Sequence, residues 1–146
     1  MTIRNIDKFV ASIQDWAILD GCFGQTRIRP SDIDGFVERR GVCLFLEGKG
    51  HDVPLTTGQA IAFSTLAKQG NTVIVFWGKD RDISKMRVIT KSDPGTVRLC
   101  SLEDLRSAVK AWYEAANRPK VNSAAPPSRS QPQPPKSALP DWVNEL

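Results

Sequence analysis

Two carboxylates and a lysine are the residues of this chain whose types and spacing point to chemistry. Glu47 and Lys49 stand two apart at the end of the apolar run Val42-Cys43-Leu44-Phe45-Leu46, and Asp34 lies upstream, across the turn signal Arg39-Arg40-Gly41. Alternation along a strand puts Glu47 and Lys49 on one face. A two-residue loop at Arg40-Gly41 pairs Glu38 with Cys43 and Phe36 with Phe45, which sets Asp34 opposite Glu47. Two carboxylates that close repel, and one takes up a proton unless something binds both. A hard divalent cation, Mg²⁺ or Mn²⁺, resolves the conflict, because it takes oxygen ligands from carboxylates, waters and substrate phosphate. The adjacent lysine then serves as the base toward an attacking water or neutralises charge developing at phosphorus. The grouping suits hydrolysis of a phosphodiester.

The elements that must position these groups are legible in outline. Ile6, Phe9, Val10, Ile13, Trp16 and Ala17 recur at helical spacing, with Asn5 as a cap and Gly21 as a stop. Residues 33–38 and 42–49 read as two strands of a hairpin. Thr56 followed by Gln59 matches a capping box and opens a helix that runs to Gln69 and ends at Gly70. Asn71 to Trp77 is continuously apolar, as a strand covered on both faces would be. Residues 87–90 and 96–100 are weaker strands about the turn Asp93-Pro94-Gly95. A second capping box, Ser101 with Asp104, opens a helix over 102–116, with Leu102, Leu105, Val109 and Trp112 on one side. The expected order is α-β-β-α-β-β-β-α, an α/β fold with a sheet between helices.

Asp34 followed by Glu47-Gly48-Lys49 after an apolar strand resembles the PD-(D/E)XK nuclease superfamily over about residues 5–78. The resemblance implies a restriction-endonuclease-like mixed sheet flanked by helices. It implies that Asp34 and Glu47 bind Mg²⁺, that Lys49 assists the water, and that Gln59 stands beside the site. Leu19-Asp20-Gly21-Cys22-Phe23 and Asp32-Ile33-Asp34-Gly35 are similar to stretches of small phage-encoded nucleases of this superfamily. Many members carry a glutamate on the first helix, and this one has only Asp7, Asp15 and Asp20. Asp20 continues the apolar stripe and is the expected third metal ligand. Gly48 weakens its strand but allows close backbone approach by a substrate. The resemblance also implies DNA as substrate, with branched or structured DNA expected because small stand-alone members often resolve junctions, and a homodimer because such action usually needs two sites.

Charge adds little to this reading. The chain carries a net +4 over its 146 residues, which invites a nucleic-acid partner. Residues 117–146 contribute +2 of that, so the body is nearly neutral. Local cations are better candidates for a DNA backbone: Arg39 and Arg40 at the hairpin tip, and Lys79 and Arg81, with Lys85 and Arg87, after the apolar strand. The three cysteines, odd in number and without a C-x-x-C pair, argue against a disulfide framework and a zinc finger. With His51 the single histidine, a multi-histidine metal site is excluded, and His51 itself reads as a loop residue. Asp32 reads as a turn residue. No signal-peptide core or membrane span is visible, which makes a reducing cytoplasm the expected compartment, and the resemblance to phage-encoded nucleases implies that of a bacterial host.

Three segments follow: a domain over 1–116, a disordered Pro-rich linker over 117–138, and a short amphipathic peptide over 139–146. The linker holds six prolines and almost nothing large and apolar. In the peptide, Leu139, Trp142, Val143 and Leu146 recur at helical spacing, a form suited to docking on a protein partner. Two other readings remain open. One is a non-catalytic nucleic-acid- or protein-binding module on the same fold, and the other is an RNA-cleaving nuclease.

Overall fold

The geometry of the hairpin that carries Glu47 and Lys49 is set at its turn. Arg40 and Gly41 both adopt positive φ, 52° and 80°, the conformation of a two-residue loop whose twist matches its flanking strands. The Glu38 carboxylate accepts a hydrogen bond from the Gly41 N–H at 2.8 Å. This turn joins β1 (Gly35–Arg39) to β2 (Val42–Lys49) in the expected register, with Phe36 opposite Phe45 and Glu38 opposite Cys43. The structure is a computed structural model that describes residues 13–119, with residues 6, 7 and 10.

A crossover helix, α1 (Thr57–Lys68), leads from β2 to β3 (Thr72–Lys79), and the two strands pair in parallel. Thr56 caps α1 and Gly70, with φ of 95°, ends it. Asn71 then ties the helix end to the sheet. Its side chain donates to Leu66 O at 3.1 Å and accepts from the Cys43 N–H at 3.0 Å. β4 (Asp82–Ile89) and the two-residue β5 (Arg98–Leu99) add antiparallel, completing a five-stranded mixed sheet in the order β1-β2-β3-β4-β5. α2 (Leu102–Ala116) closes the domain. Its capping box depresses the Asp104 carboxyl below its ordinary value, first through the hydrogen bond from the Ser101 backbone.

The two helices cover opposite faces of the sheet. Phe63 and Ala67 of α1 pack with Val73, Val75, Trp77 and Ile89. Leu105 of α2 packs with Leu44, Ile74, Ile83 and Met86 on the other side. This is why β3 is apolar on both faces from Val73 to Trp77: burying each such side chain contributes roughly 1.5–3 kcal/mol. The fold is a mixed α/β sandwich, and from β1 onward the element order is the expected one.

Three expectations differ. The first helix falls largely on residues outside those described. Trp16 and Ala17, assigned to it, instead lie in a 3-10 turn, Trp16–Leu19. Asp15 starts that turn by accepting the Ala17 N–H at 2.9 Å, competing with helix continuation. β4 begins at Asp82, not Arg87, because Asp80 takes a positive φ of 54° and makes a tight turn no glycine marks. Lys85 therefore joins Arg87 as a strand residue. The linker beyond residue 119, and the peptide bearing Leu139, Trp142, Val143 and Leu146, lie outside the described residues. Among the described residues, no helix is long and apolar enough to cross a membrane.

Candidate active site

Glu47 occupies the centre of the site. It stands on β2, only 5% exposed, the one charged residue buried in the described core. The face it shares with α1 holds its partners. Lys49 Nζ lies 2.9 Å from Glu47 Oε1, and the Gln59 carboxamide donates to the same oxygen at 2.7 Å. Gln59 serves two ends at once, because its own Oε1 accepts the Thr56 N–H at 3.3 Å. The capping box thus holds the carboxamide with its NH₂ toward Glu47. Capping and site contact are one arrangement.

Both donors converge on Oε1, while Glu47 Oε2 is buried without a hydrogen-bond partner among the described residues. An unsatisfied buried oxygen of this kind costs about 1–3 kcal/mol, more when charged. Evolved cores seldom retain such an atom unless it serves a ligand or the chemistry.

Asp34 lies where the hairpin register sets it. The ladder ends at Gly35 opposite Leu46, so Asp34 falls at the next position, opposite Glu47. It does not extend the strand. Its carboxylate instead accepts the Gly48 N–H at 2.7 Å, which anchors it against β2 while it stays exposed. The Cβ side of Gly48 is filled: a Cβ there would stand 3.1 Å from the Phe76 ring and 3.5 Å from the Asp34 carboxylate. Gly48 therefore serves strand packing and the Asp34 bond, and the expected room for substrate on that side is occupied by Phe76. Glu47 and Lys49 sit at the carboxyl ends of the two parallel strands, the edge where open α/β sheets bind ligands.

Other expected residues lie apart. Asp20 is exposed at the end of the 3-10 turn and meets Arg29 at 3.1 Å. Among the described residues, no three metal-ligating side chains cluster, so Asp20 does not complete a triad with Asp34 and Glu47. Asp32 accepts the Trp16 indole N–H at 3.1 Å, which pins the segment leading to Asp34. His51 is a loop residue, 3.3 Å from Asp82. Arg39 donates to Asn117 at 2.6 Å and Arg40 forms the turn. Both lie at the far end of β2, about 17 Å from Glu47 at the rise of an extended strand. Lys79 ends β3 and Arg81 follows in the turn, at the same end of the sheet as Lys49. Sequence reasoning missed the hollow beside Trp77, whose signal was the alternation of Lys85 and Arg87 on one face of an unrecognised strand.

Comparison with protein-family models, with curated proteins and with solved structures gives no match.

Proposed function

We propose that this chain is a Mg²⁺-dependent nuclease that hydrolyses phosphodiester bonds in DNA, on a restriction-endonuclease-like fold. The observation that carries the reading is the buried Oε2 of Glu47, unpartnered among the described residues, with Lys49 on its sister oxygen and Asp34 at the facing position of the hairpin. An acceptor-only oxygen on a strand that faces a second acidic position fits a hard cation, and a turn of the broad terminal torsion of Glu47 exchanges its two oxygens. Asp34 and Glu47 would hold Mg²⁺ or Mn²⁺, which when bound supplies Lewis-acid stabilisation of phosphate charge and an acidified water.

The protein's own groups do the rest. Lys49, 14% exposed, stands at the boundary between core and solvent, where its ammonium aligns an attacking water and neutralises charge on the phosphoryl oxygens. Gln59 is a positioning residue: it fixes the Glu47 carboxylate from the helix start. Val75 and Trp77 close the site from behind and keep bulk water off that side. The mixed sheet with helices on both faces and the acidic hairpin beside its parallel pair support the fold assignment.

The test is direct. The protein is incubated with plasmid, linear, branched DNA and RNA in Mg²⁺, Mn²⁺ or chelator, beside Lys49→Ala and Glu47→Ala. Metal-dependent cleavage by the wild type alone supports the reading. Cleavage that survives in both variants, or none by the wild type, sinks it in favour of a binding module. Light scattering with and without junction DNA reads the homodimer that paired cuts require.

A further inference from the structure

A cavity of about 400 Å³ opens beside the candidate site. Val53, Leu55, Trp77 and Val97 give it apolar walls, and Lys85 and Arg87 stand at its side. Strand register explains the adjacency. Trp77 pairs with Lys49 on β2 and with Lys85 on β4, and Val75 pairs with Glu47 and with Arg87. Paired residues share a face, so Lys85 and Arg87 project from the same face as the site, two strand spacings or roughly 10 Å away.

The wall is preformed. The Trp77 indole N–H donates to Val53 O at 2.7 Å, which holds the 51–55 loop over the ring. Arg87 donates through Nε to Pro94 O at 3.0 Å, using one of its five donors. It also lines a second cavity, of about 200 Å³, with Lys68 and Lys91. Cations thus continue along this face from Lys49 to Lys85, Arg87 and Lys91. The rim acids are exposed: Asp52 lies 3.8 Å from Lys85, and Asp82 lies 3.3 Å from His51. Exposed pairs of this kind are weak and exchange readily.

An apolar hollow flanked by cations suits one nucleotide, with its base against the walls and its phosphate at the ammonium and guanidinium groups. The separation from Lys49 corresponds to about one or two nucleotides along a strand. A base still paired in a duplex cannot enter. We infer that this cavity receives the unpaired base of a nucleotide next to the scissile phosphate, with Lys85 and Arg87 against the flanking phosphates. The inference rests on the nuclease reading and narrows its substrate to DNA with unpaired bases at the cut, such as a single strand, a flap or a branch point.

Binding and cleavage together test it. Full-length protein is titrated, with Ca²⁺ replacing Mg²⁺, into labelled oligonucleotides of about 12 nucleotides. The probes are a single strand, its counterpart with abasic sites, and a blunt duplex. Val97→Trp and Val53→Trp fill the cavity from positions that are half exposed, so neither strains the core. The single strand is expected to bind about tenfold more tightly than the abasic strand, and each tryptophan variant to lose about that factor. Duplex binding should not change in either variant. Equal binding of the three probes, or wild-type binding by both variants, overturns the inference. Metal-dependent cleavage without base dependence leaves the nuclease reading standing while this one falls. Base-dependent binding without any cleavage overturns the nuclease reading and, with it, the placing of the base next to a scissile phosphate, leaving only a cavity that takes an unpaired base.

Discussion

Lys49→Met is the perturbation that weighs the site most directly. In the wild type, Glu47 Oε1 has two donors, Lys49 and Gln59, and Oε2 has none. Removing Lys49 leaves a buried carboxylate with one neutral donor. Breaking a fully buried ion pair costs about 3–5 kcal/mol. The Glu47 side chain is 6% exposed and Lys49 14%, so some water reaches the pair. A loss of about 2–3 kcal/mol follows from that discount. For a domain of this size each kcal/mol moves the melting temperature by about 4–8 °C, so the expected drop is roughly 10–20 °C. The double variant Glu47→Gln, Lys49→Met removes both charges at similar volume and should return to within about 1 kcal/mol of the wild type. Metal binding provides a second reading. At 10 mM Mn²⁺, a site with a dissociation constant of ~1 mM gains ~1.4 kcal/mol. Lys49→Met, freed of the competing ammonium, should gain at least as much, and the double variant little. Thermal melts followed by circular dichroism, with and without Mn²⁺, measure all four numbers. A drop under about 3 °C for Lys49→Met, or a double variant no better than the single, would refute the reasoning.

Three further outcomes follow from the same geometry. Asp34→Asn keeps a carboxamide oxygen for the Gly48 N–H, so its melting temperature should stay near wild type while metal-dependent cleavage falls by about 10²–10³. Ser101→Ala removes the donors that depress the Asp104 carboxyl from its ordinary 3.8 only in part, because the backbone donor survives. A depressed carboxyl stabilises the fold above its ordinary value, and that contribution is lost as pH falls through the lower folded value. The gap between wild-type and Ser101→Ala melting temperatures should therefore hold from neutral pH to about 5 and narrow below about 4. Cys22 is exposed, whereas burial, with the nearby Asp104 charge, pushes the Cys100 thiol up. A thiol reagent at mildly alkaline pH should modify Cys22 well before Cys100, as peptide mass spectrometry of timed samples would show.

Local rules made much of this protein readable from its sequence. Arg40-Gly41 specified a two-residue turn, and alternation from that turn set Asp34 at the position facing Glu47, with Lys49 two residues on, because strand side chains repeat every two residues. Two capping boxes, at Thr56 and Ser101, marked both helix starts because each satisfies backbone donors within four residues of chain. Unbroken apolarity announced β3 as a strand covered on both faces. What resisted reading was set by contacts remote in sequence. The capping-box pattern gave Gln59 its bond to Thr56, but no spacing showed that its NH₂ would reach Glu47, or that both donors would choose one oxygen and leave Oε2 alone. The start of β4 was hidden because its turn uses Asp80 and Arg81 in place of glycine, held by pairing with β3. Asp20 was sequence-adjacent to an apolar stripe, yet its carboxylate found Arg29 nine residues on. Short-range spacing determines which residues share a face. Only the packing of helix on sheet decides which atoms are buried, which are paired, and which oxygen is left for a ligand.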